Sequence, residues 1–410
     1  MIPFAARLLA LGRRVTSLGT FMPEIDGLRF IAISWVLAYH ITGEYTMVAG
    51  ARFPSQTEDT ALVAWLPTLN FGVQLFFVIS GFILGLPFIR HYYDGAKKPE
   101  LRGYYLRRLT RIEPPLLINL TVCLLLLLAV KHRPPGELMP HYLASVSYLH
   151  NLAYQDLSTI NFVTWSLEIE ARFALLAPFL ILVLAAPERL REPALALLIA
   201  GCALLSWYLT LECRLIGLTL LGQLQYFFAG FLLAAWHCRS MRERPVGRWR
   251  YDALALAAWL GLAAMLANRA AWNVPLLPFT VVVAYAAMFR GRLTNRAITL
   301  PLLTTIGGMC YTIYLYHPFL KSTLKYLTYR LQLGDCYLVN ALAQVVLLGG
   351  LFIAVCLQLF LLVEKPFMYR QWPATAWAWL RRGAHAPLSQ AAAPGTGAAP
   401  PVPVREHNVR

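Results

Sequence analysis

Long apolar runs recur along most of the chain and are separated by short polar or basic segments. Eleven runs of roughly 17 to 25 mostly apolar residues can be distinguished. They begin near Leu28, Leu66, Leu116, Leu138, Val163, Pro193, Ile216, Tyr251, Asn273, Leu302 and Tyr337. A run of that length crosses a bilayer as an α-helix, which satisfies its own backbone hydrogen bonds. The pattern predicts an all-α integral membrane protein.

The run at 138–156, LMPHYLASVSYLHNLAYQD, is the weakest because it contains two histidines, a proline and several small polar residues. If it crossed the membrane, the basic stretches 90–115 and 237–250 would face opposite sides, although Lys and Arg normally gather in cytoplasmic loops. We therefore interpret it as a surface-lying or re-entrant segment, which leaves about ten spans and both termini in the cytoplasm. Inward segments then hold 26 Lys and Arg, and outward segments hold 8.

Composition divides the chain into three parts. Residues 1–23 are basic with a short apolar run, which predicts a cytoplasmic N-terminal segment. Residues 24–370 form the predicted membrane domain. Residues 371–410 are rich in Ala, Pro and Gly and contain little apolar bulk in their last part, which predicts a cytoplasmic, largely disordered tail.

Charge and composition exclude other classes of protein. The 410 residues are 58% hydrophobic and 14% charged, with a mean hydropathy of +0.55, whereas a soluble domain has roughly 25% charged residues. The net charge of +16 fits basic cytoplasmic loops, so no nucleic-acid partner is expected. Seven scattered cysteines without a CxxC pair, and nine histidines without HExxH spacing, predict neither a disulfide framework nor a metal site.

Ionisable residues within membrane spans cost at least a few kcal/mol each and need a reason. The candidates are Arg29, His40, Glu168, Glu170, Arg172 and His317. Arg29 and His40 lie eleven positions apart, which in a helix is three turns plus roughly 20° and a rise of roughly 16 Å. Both side chains therefore share one helix face at two depths. Snorkelling to headgroups would also explain Arg29, and a hydrogen-bonded core role would also explain His40.

Two later segments carry further groups of this kind. In TWSLEIEARF, Glu168 and Arg172 are spaced to pair on one helix face, which leaves Glu170 unpaired within its own helix. In YTIYLYHPFL, Pro318 follows His317 and predicts a helix break there. An interfacial histidine within an aromatic belt is the alternative interpretation of His317.

A basic cluster precedes the third span. The segment YYLRRLTRIEPP places Arg107, Arg108 and Arg111 at helical spacing. Anchoring on the cytoplasmic face would explain the cluster, and so would the docking of a phosphorylated ligand, because guanidinium groups match phosphate geometry. In the span before it, small residues recur in FGVQLFFVISGFILG, which predicts close helix packing.

Taken together, these segments resemble the acyltransferase-3 family of membrane O-acyltransferases. The matching pieces are IDGLRFIAISWVLAYH, GVQLFFVISGFIL, YLRRLTRIEPP, TWSLEIEARF, YTIYLYHPF and VEKPF, which occur in the family's order between residues 24 and 367. The resemblance implies ten helices in a bacterial cytoplasmic (inner) membrane, an acyl-coenzyme A (acyl-CoA) donor on the cytoplasmic side, and acylation of a hydroxyl of a carbohydrate or glycolipid. Acyl-CoA, with acetyl-CoA favoured, is then a co-substrate, and no permanently bound cofactor is expected.

The resemblance also implies roles for individual residues. Arg29 and His40 correspond to the family's essential Arg-x10-His pair, and Glu170 corresponds to the acid of its Trp-Ser-Leu-x-x-Glu motif. The expected catalytic residues are therefore His40 and Glu170. The expected donor-binding residues are Arg29, Arg107, Arg108 and Arg111. The expected acceptor-binding or supporting residues are Asp26, Trp165, Ser166, Tyr314 and His317.

The Arg29–His40 spacing suggests a mechanism. The arginines would hold the CoA phosphates, and the pantetheine arm would bring the thioester to His40, which would take a proton from the acceptor hydroxyl. An acyl-histidine relay is a second possibility, and Glu170 would orient the imidazole or bind the acceptor. The competing class is a secondary transporter that uses intramembrane His and Glu, although no inverted repeat is visible.

Overall fold

The computed structural model describes residues 9–15, 21–49, 65–240, 247–268, 270–369 and 372–373, and within these ranges it is helical with no strand. Its α-helices are α1 (Pro23–Ala49), α2 (Gly72–Asp94), α3 (Leu101–Ala129), α4 (Pro135–Val146), α5 (His150–Tyr154), α6 (Thr164–Leu180), α7 (Glu188–Glu212), α8 (Leu220–Ser240), α9 (Trp249–Asn268), α10 (Leu277–Arg290), α11 (Leu293–Ile298), α12 (Pro301–Gly308), α13 (Cys310–Thr328) and α14 (Tyr337–Leu359). A 3₁₀ turn, Leu66–Phe71, leads into α2, and a π-turn, Phe360–Glu364, extends α14.

Five helical segments are long and apolar enough to cross a membrane. They are Leu66–Asp94, Leu101–Ala129, Glu188–Glu212, Trp249–Asn268 and Tyr337–Met368. Each coincides with a span predicted from the apolar runs. The described part of the chain is therefore all-helical with five segments able to cross a membrane, and the full count of ten spans stays a prediction. The N-terminal residues 1–8 and 16–20, and all but two residues of the predicted tail, lie outside the described residues.

The segment 138–156 is divided between two short helices. Helix α4 has 12 residues and ends at Val146, and α5 has only five. Twelve helical residues extend about 18 Å, which is shorter than the roughly 30 Å hydrocarbon core. The geometry agrees with the prediction that this segment does not span the membrane.

The helix break predicted at Pro318 is wrong. Helix α13 runs through Pro318 to Thr328, and the chain instead breaks at Met309, between α12 and α13. Proline removes the N–H that would bond the carbonyl four residues earlier, here Tyr314. His317 Nδ1 lies 2.8 Å from that carbonyl oxygen and satisfies it. A side chain thus replaces the missing backbone donor, and the helix continues.

Close helix packing around α2 confirms the interpretation of its small residues. A Cβ on Gly81 would lie 2.2 Å from the carbonyl oxygen of Phe227 on α8, and a Cβ on Gly230 would lie 2.3 Å from that of Val78. A Cβ on Gly72 would lie 2.8 Å from the carbonyl oxygen of Ala32 on α1. Only glycine permits these approaches, so α2 packs backbone to backbone against both neighbours at the centre of the molecule.

Candidate active site

A buried carboxylate fixes Arg29 at one end of α1. Asp26 is fully buried, and its two oxygens accept hydrogen bonds from Arg14 Nε at 2.7 Å and Arg29 Nη1 at 2.9 Å. Helix α12 comes close enough to require Gly307, where a Cβ would lie 1.8 Å from the Asp26 carbonyl oxygen. Arg29 thus faces the protein interior rather than the lipid. Asp26, expected among the acceptor-binding or supporting residues, is a support for Arg29 at the arginine end.

An interior cavity of about 240 Å³ begins at the arginines. It follows α2 from Pro87 to Val73, a distance of about 21 Å for fourteen helical residues. Four of the predicted donor-binding residues line it, namely Arg29, Arg107, Arg108 and Arg111. At its far end the wall includes Ser166 and Tyr314. The structure therefore brings the arginine cluster and Arg29 into one elongated cavity.

Glu170 finds its partner on another helix. Arg108 Nη2 lies 2.8 Å from Glu170 Oε1, so the acid of α6 is paired with the basic cluster of α3. No hydrogen bond joins Glu170 to His40 among the described residues, and the expectation that Glu170 orients that imidazole is not supported. Arg111, by contrast, has no hydrogen bond or ion pair with any described residue. It lines the cavity near Glu364, whose carboxylate offsets part of its charge, and its N–H donors bond no described residue.

The two histidines lie together beyond the cavity. The rings of His40 and His317 have centroids 4.8 Å apart, and His317 is fully buried. Because a carbonyl oxygen can only accept, His317 Nδ1 must donate to Tyr314, which leaves Nε2 with a lone pair. That Nε2 atom is buried and has no hydrogen-bond partner. The structure therefore pairs His40 with a histidine whose tautomer is set by its own helix.

One tyrosine separates the cavity from the histidines. Neither histidine lines the cavity, whereas Tyr314 does, and the Tyr314 ring centroid lies 5.8 Å from that of His317. The Tyr314 hydroxyl is 2.6 Å from Ser166 Oγ and donates to the carbonyl oxygen of Val163 at 3.0 Å. Two hydroxyl groups thus meet at the cavity end, adjacent to the imidazole pair.

The remaining sequence candidates have structural partners. Glu168 and Arg172 form the predicted ion pair at 3.0 Å, and Glu168 also accepts from the backbone N–H of Asn151 at 3.0 Å. This pair therefore ties the α4–α5 segment to α6. Trp165 packs edge-on against Phe77 and does not line the cavity.

Sequence reasoning missed Glu364 as a site residue. This carboxylate lines the cavity, is nearly fully buried, and accepts from the backbone N–H of Thr312 at 3.1 Å and from the same residue's hydroxyl. It belongs to the segment VEKPF, so the resemblance marked the segment without assigning the residue. The sequence signal that could have identified Glu364 is an acidic residue at the end of an apolar helix.

Comparison with known proteins identifies relatives that match part of this chain. O-acetyltransferase OatA of Staphylococcus aureus is 29% identical over 170 residues, which is 39% of this chain and 25% of the relative. A second Staphylococcus aureus protein named as an O-acetyltransferase is 28% identical over 177 residues, 40% of this chain and 25% of the relative. The matched region thus spans about a quarter of the length of these relatives. No solved structure matches the chain.

A family model covers far more of the chain. The acyltransferase-3 model, described as an acyltransferase domain, matches residues 22–361. This range includes Arg29, the arginines of α3, Glu170 and both histidines, and it ends just before Glu364. Membership implies an acyl donor, an acceptor and a membrane-embedded acyltransferase rather than a transporter. The chain belongs to the acyltransferase-3 family.

Proposed function

We propose that this protein transfers an acetyl group from acetyl-CoA to a hydroxyl of a carbohydrate or glycolipid acceptor at a bacterial cytoplasmic membrane. The observation that carries the proposal is the cavity that connects the arginines to Ser166 and Tyr314, with His40 and His317 directly beyond it. The names of the Staphylococcus aureus relatives favour acetyl as the acyl group.

The donor enters at the arginine end in this proposal. Arg111 and the exposed Arg107 bind the CoA phosphates, because neither makes an ion pair with a described residue and guanidinium groups match phosphate oxygens. Arg29 stays fixed by Asp26 and contributes its remaining N–H donors. The roughly 21 Å length of the cavity then accommodates an extended pantetheine arm.

The acyl group reacts at the other end of the cavity. The thioester carbonyl lies at the hydroxyls of Tyr314 and Ser166. Each hydroxyl has one hydrogen, so these hydrogens have to leave their present acceptors to bond the carbonyl oxygen as it becomes negative. His40 takes the proton of the acceptor hydroxyl as its oxygen bonds to the carbonyl carbon. The carbon–sulfur bond breaks, and the imidazolium returns the proton to the CoA thiolate. Because the Tyr314 ring lies between the cavity and the histidines, it has to shift before His40 can contact the acceptor hydroxyl at the thioester.

The orientation follows from the charge distribution. With ten spans and both termini in the cytoplasm, the 26 inward Lys and Arg include the arginines of α3 at the mouth of the cavity. The CoA donor therefore binds from the cytoplasm. His40 lies eleven residues further along α1, and the acceptor therefore approaches from the outer face. Acyl-CoA is a substrate in this scheme, and the chemistry uses protein side chains alone.

A single assay tests the proposal. Purified protein in detergent, supplied with acetyl-CoA labelled in the acetyl group and with a surface-glycan extract, is expected to release CoA and to label the glycan. His40→Ala should abolish both readouts while the protein stays folded and correctly inserted. Solute flux without thioester cleavage, or at least a tenth of normal turnover in His40→Ala, would contradict the assignment.

A further inference from the structure

A cluster of three charged side chains lies just beyond the two histidines. Glu44 on α1 bridges two lysines of α13, with Oε2 2.6 Å from Lys321 Nζ and Oε1 2.5 Å from Lys325 Nζ. All three side chains are largely buried, with exposed fractions of 12% for Glu44, 15% for Lys321 and 22% for Lys325. We call these three residues the lysine cluster.

The position of the lysine cluster is fixed by helical spacing. Glu44 follows His40 by four residues on α1, and Lys321 follows His317 by four residues on α13. Residues four apart share a helix face and differ by about 6 Å in height. The cluster therefore lies one turn beyond the histidine pair on both helices. It is on the side away from the arginine-lined cavity, where the acceptor hydroxyl has to approach.

Within the described residues, the charge of the lysine cluster is not balanced. Two ammonium groups face one carboxylate, which leaves a net charge of +1, and neither lysine bonds a second described carboxylate. Glu44 uses one N–H group of each lysine, so each ammonium keeps further donors. A largely buried excess charge is unfavourable unless a counter-ion offsets it. Among the described residues, no further carboxylate bonds either lysine, so the cluster offers donors to an anion.

We infer that the acceptor is an anionic sugar, whose carboxylate or phosphate binds Lys321 and Lys325 while a neighbouring hydroxyl reaches His40. The inference rests on the proposed function and narrows its substrate class. The lysines select and orient the acceptor and take no part in bond formation. Glu44 holds the two ammonium groups together and limits their mutual repulsion, so it positions the lysines rather than binding the sugar.

The experiment compares acceptors that differ only in charge. Purified protein with labelled acetyl-CoA is given methyl glucuronide or its uncharged 6-amide, and in a second arm glucose 1-phosphate or methyl glucoside. We expect kcat/KM to be at least tenfold higher for the anionic member of one or both pairs. This is the roughly ten- to hundredfold effect of one charge-assisted contact. The arm that shows the preference identifies the carboxylate or the phosphate.

Variants of the two lysines test whether the preference for anionic acceptors depends on the lysine cluster. Lys321→Gln and Lys325→Gln should lower the anionic-to-neutral ratio towards one, and Lys321→Arg should keep it. Lys131→Gln, an exposed lysine outside the site, should leave the ratio unchanged. Three outcomes would overturn the inference. They are equal use of charged and neutral sugars, transfer to neither, and an anionic-to-neutral ratio of kcat/KM that is unchanged in both Gln variants. The assay with the surface-glycan extract tests the proposed function separately: acetyl-CoA cleavage there without a charge preference here overturns this inference alone, and no cleavage there overturns both.

Discussion

Pro318 shows how a single residue sets the chemistry of its neighbour. The sequence predicted a helix break, because proline lacks the N–H of a continuing helix. In the structure the freed Tyr314 carbonyl is satisfied by His317 Nδ1 at 2.8 Å, and Nε2, which carries the lone pair in the neutral ring, is buried without a partner. Periodicity could not show this, because the compensating donor is a side chain from the same turn. A motif that weakens the helix thus sets the hydrogen bonding of the histidine beside His40.

Pro318→Ala should separate stability from activity. The new backbone N–H would bond the Tyr314 carbonyl and compete with the His317 ring, so the histidine tautomer would no longer be fixed. Since an interior proline costs about 3 kcal/mol in a helix, we expect the melting temperature in detergent to stay equal or to rise. Acetyl transfer should fall about tenfold or more. Pro193→Ala, in an exposed turn of α7, is the control and should leave transfer unchanged.

The arginines of α3 illustrate what spacing can and cannot predict. All three were predicted as donor-binding residues, and all three line the cavity. Spacing could not distinguish them, because the partner of Arg108 is Glu170, 62 residues away on another helix. The structure divides the set into one paired cation and two that are open to an anion.

Arg111→Gln should therefore act on donor binding, and Arg108→Gln on stability as well. Losing Arg111 removes one phosphate contact, which we expect to raise the Kd for acetyl-CoA roughly ten- to hundredfold. Losing Arg108 leaves the part-buried carboxylate of Glu170 without its ion-pair partner and should lower the melting temperature. Calorimetric titration and thermal denaturation measure the two effects, with exposed Arg102→Gln as the control. An unchanged Kd in Arg111→Gln would remove this residue from the donor site.

At the scale of elements, the apolar runs predicted the helices well and their breaks poorly. The run near Leu66 became α2 with its 3₁₀ lead, and the polar segment 138–156 became two short helices. The run near Leu302, however, is interrupted at Met309, two residues after Gly307, which packs closely against α1. Length and hydropathy report burial in lipid or protein, whereas breaks depend on contacts with helices distant in sequence.

Glycine at the α2–α8 crossing gives a test at this scale. Gly81→Val should destabilise the protein, because even a Cβ would lie 2.2 Å from a backbone oxygen that cannot move independently. Overpacking typically costs about 1–3 kcal/mol and can separate the helices. The matched control is Gly201→Val on α7, where no atom lies within 4 Å of the added Cβ. Equal melting temperatures for both variants would show that the crossing is looser than the structure indicates.

At the scale of the whole molecule, the two ends of the site are chemically distinct. One end has an arginine-lined cavity, and the other has the lysine cluster beyond the histidines. Along α1, Asp26 and Glu44 mark these ends, and eighteen helical residues place them about 27 Å apart. That distance is close to the thickness of a hydrocarbon core. In the proposed function, a donor and an acceptor on opposite faces of the membrane can therefore meet without either molecule crossing it.

The native cysteines allow the orientation to be tested. Cys213 and Cys336 are exposed and lie next to helix ends that the charge distribution places outside. A membrane-impermeant maleimide added to intact cells should label both, and Cys213→Ala with Cys336→Ala should remove that signal. In this double variant, Lys98→Cys, in the exposed loop between α2 and α3, should react only after the membrane is permeabilised. Labelling at position 98 in intact cells would put the arginine-lined mouth outside, where no acetyl-CoA is available, and the direction of transfer proposed here would be wrong.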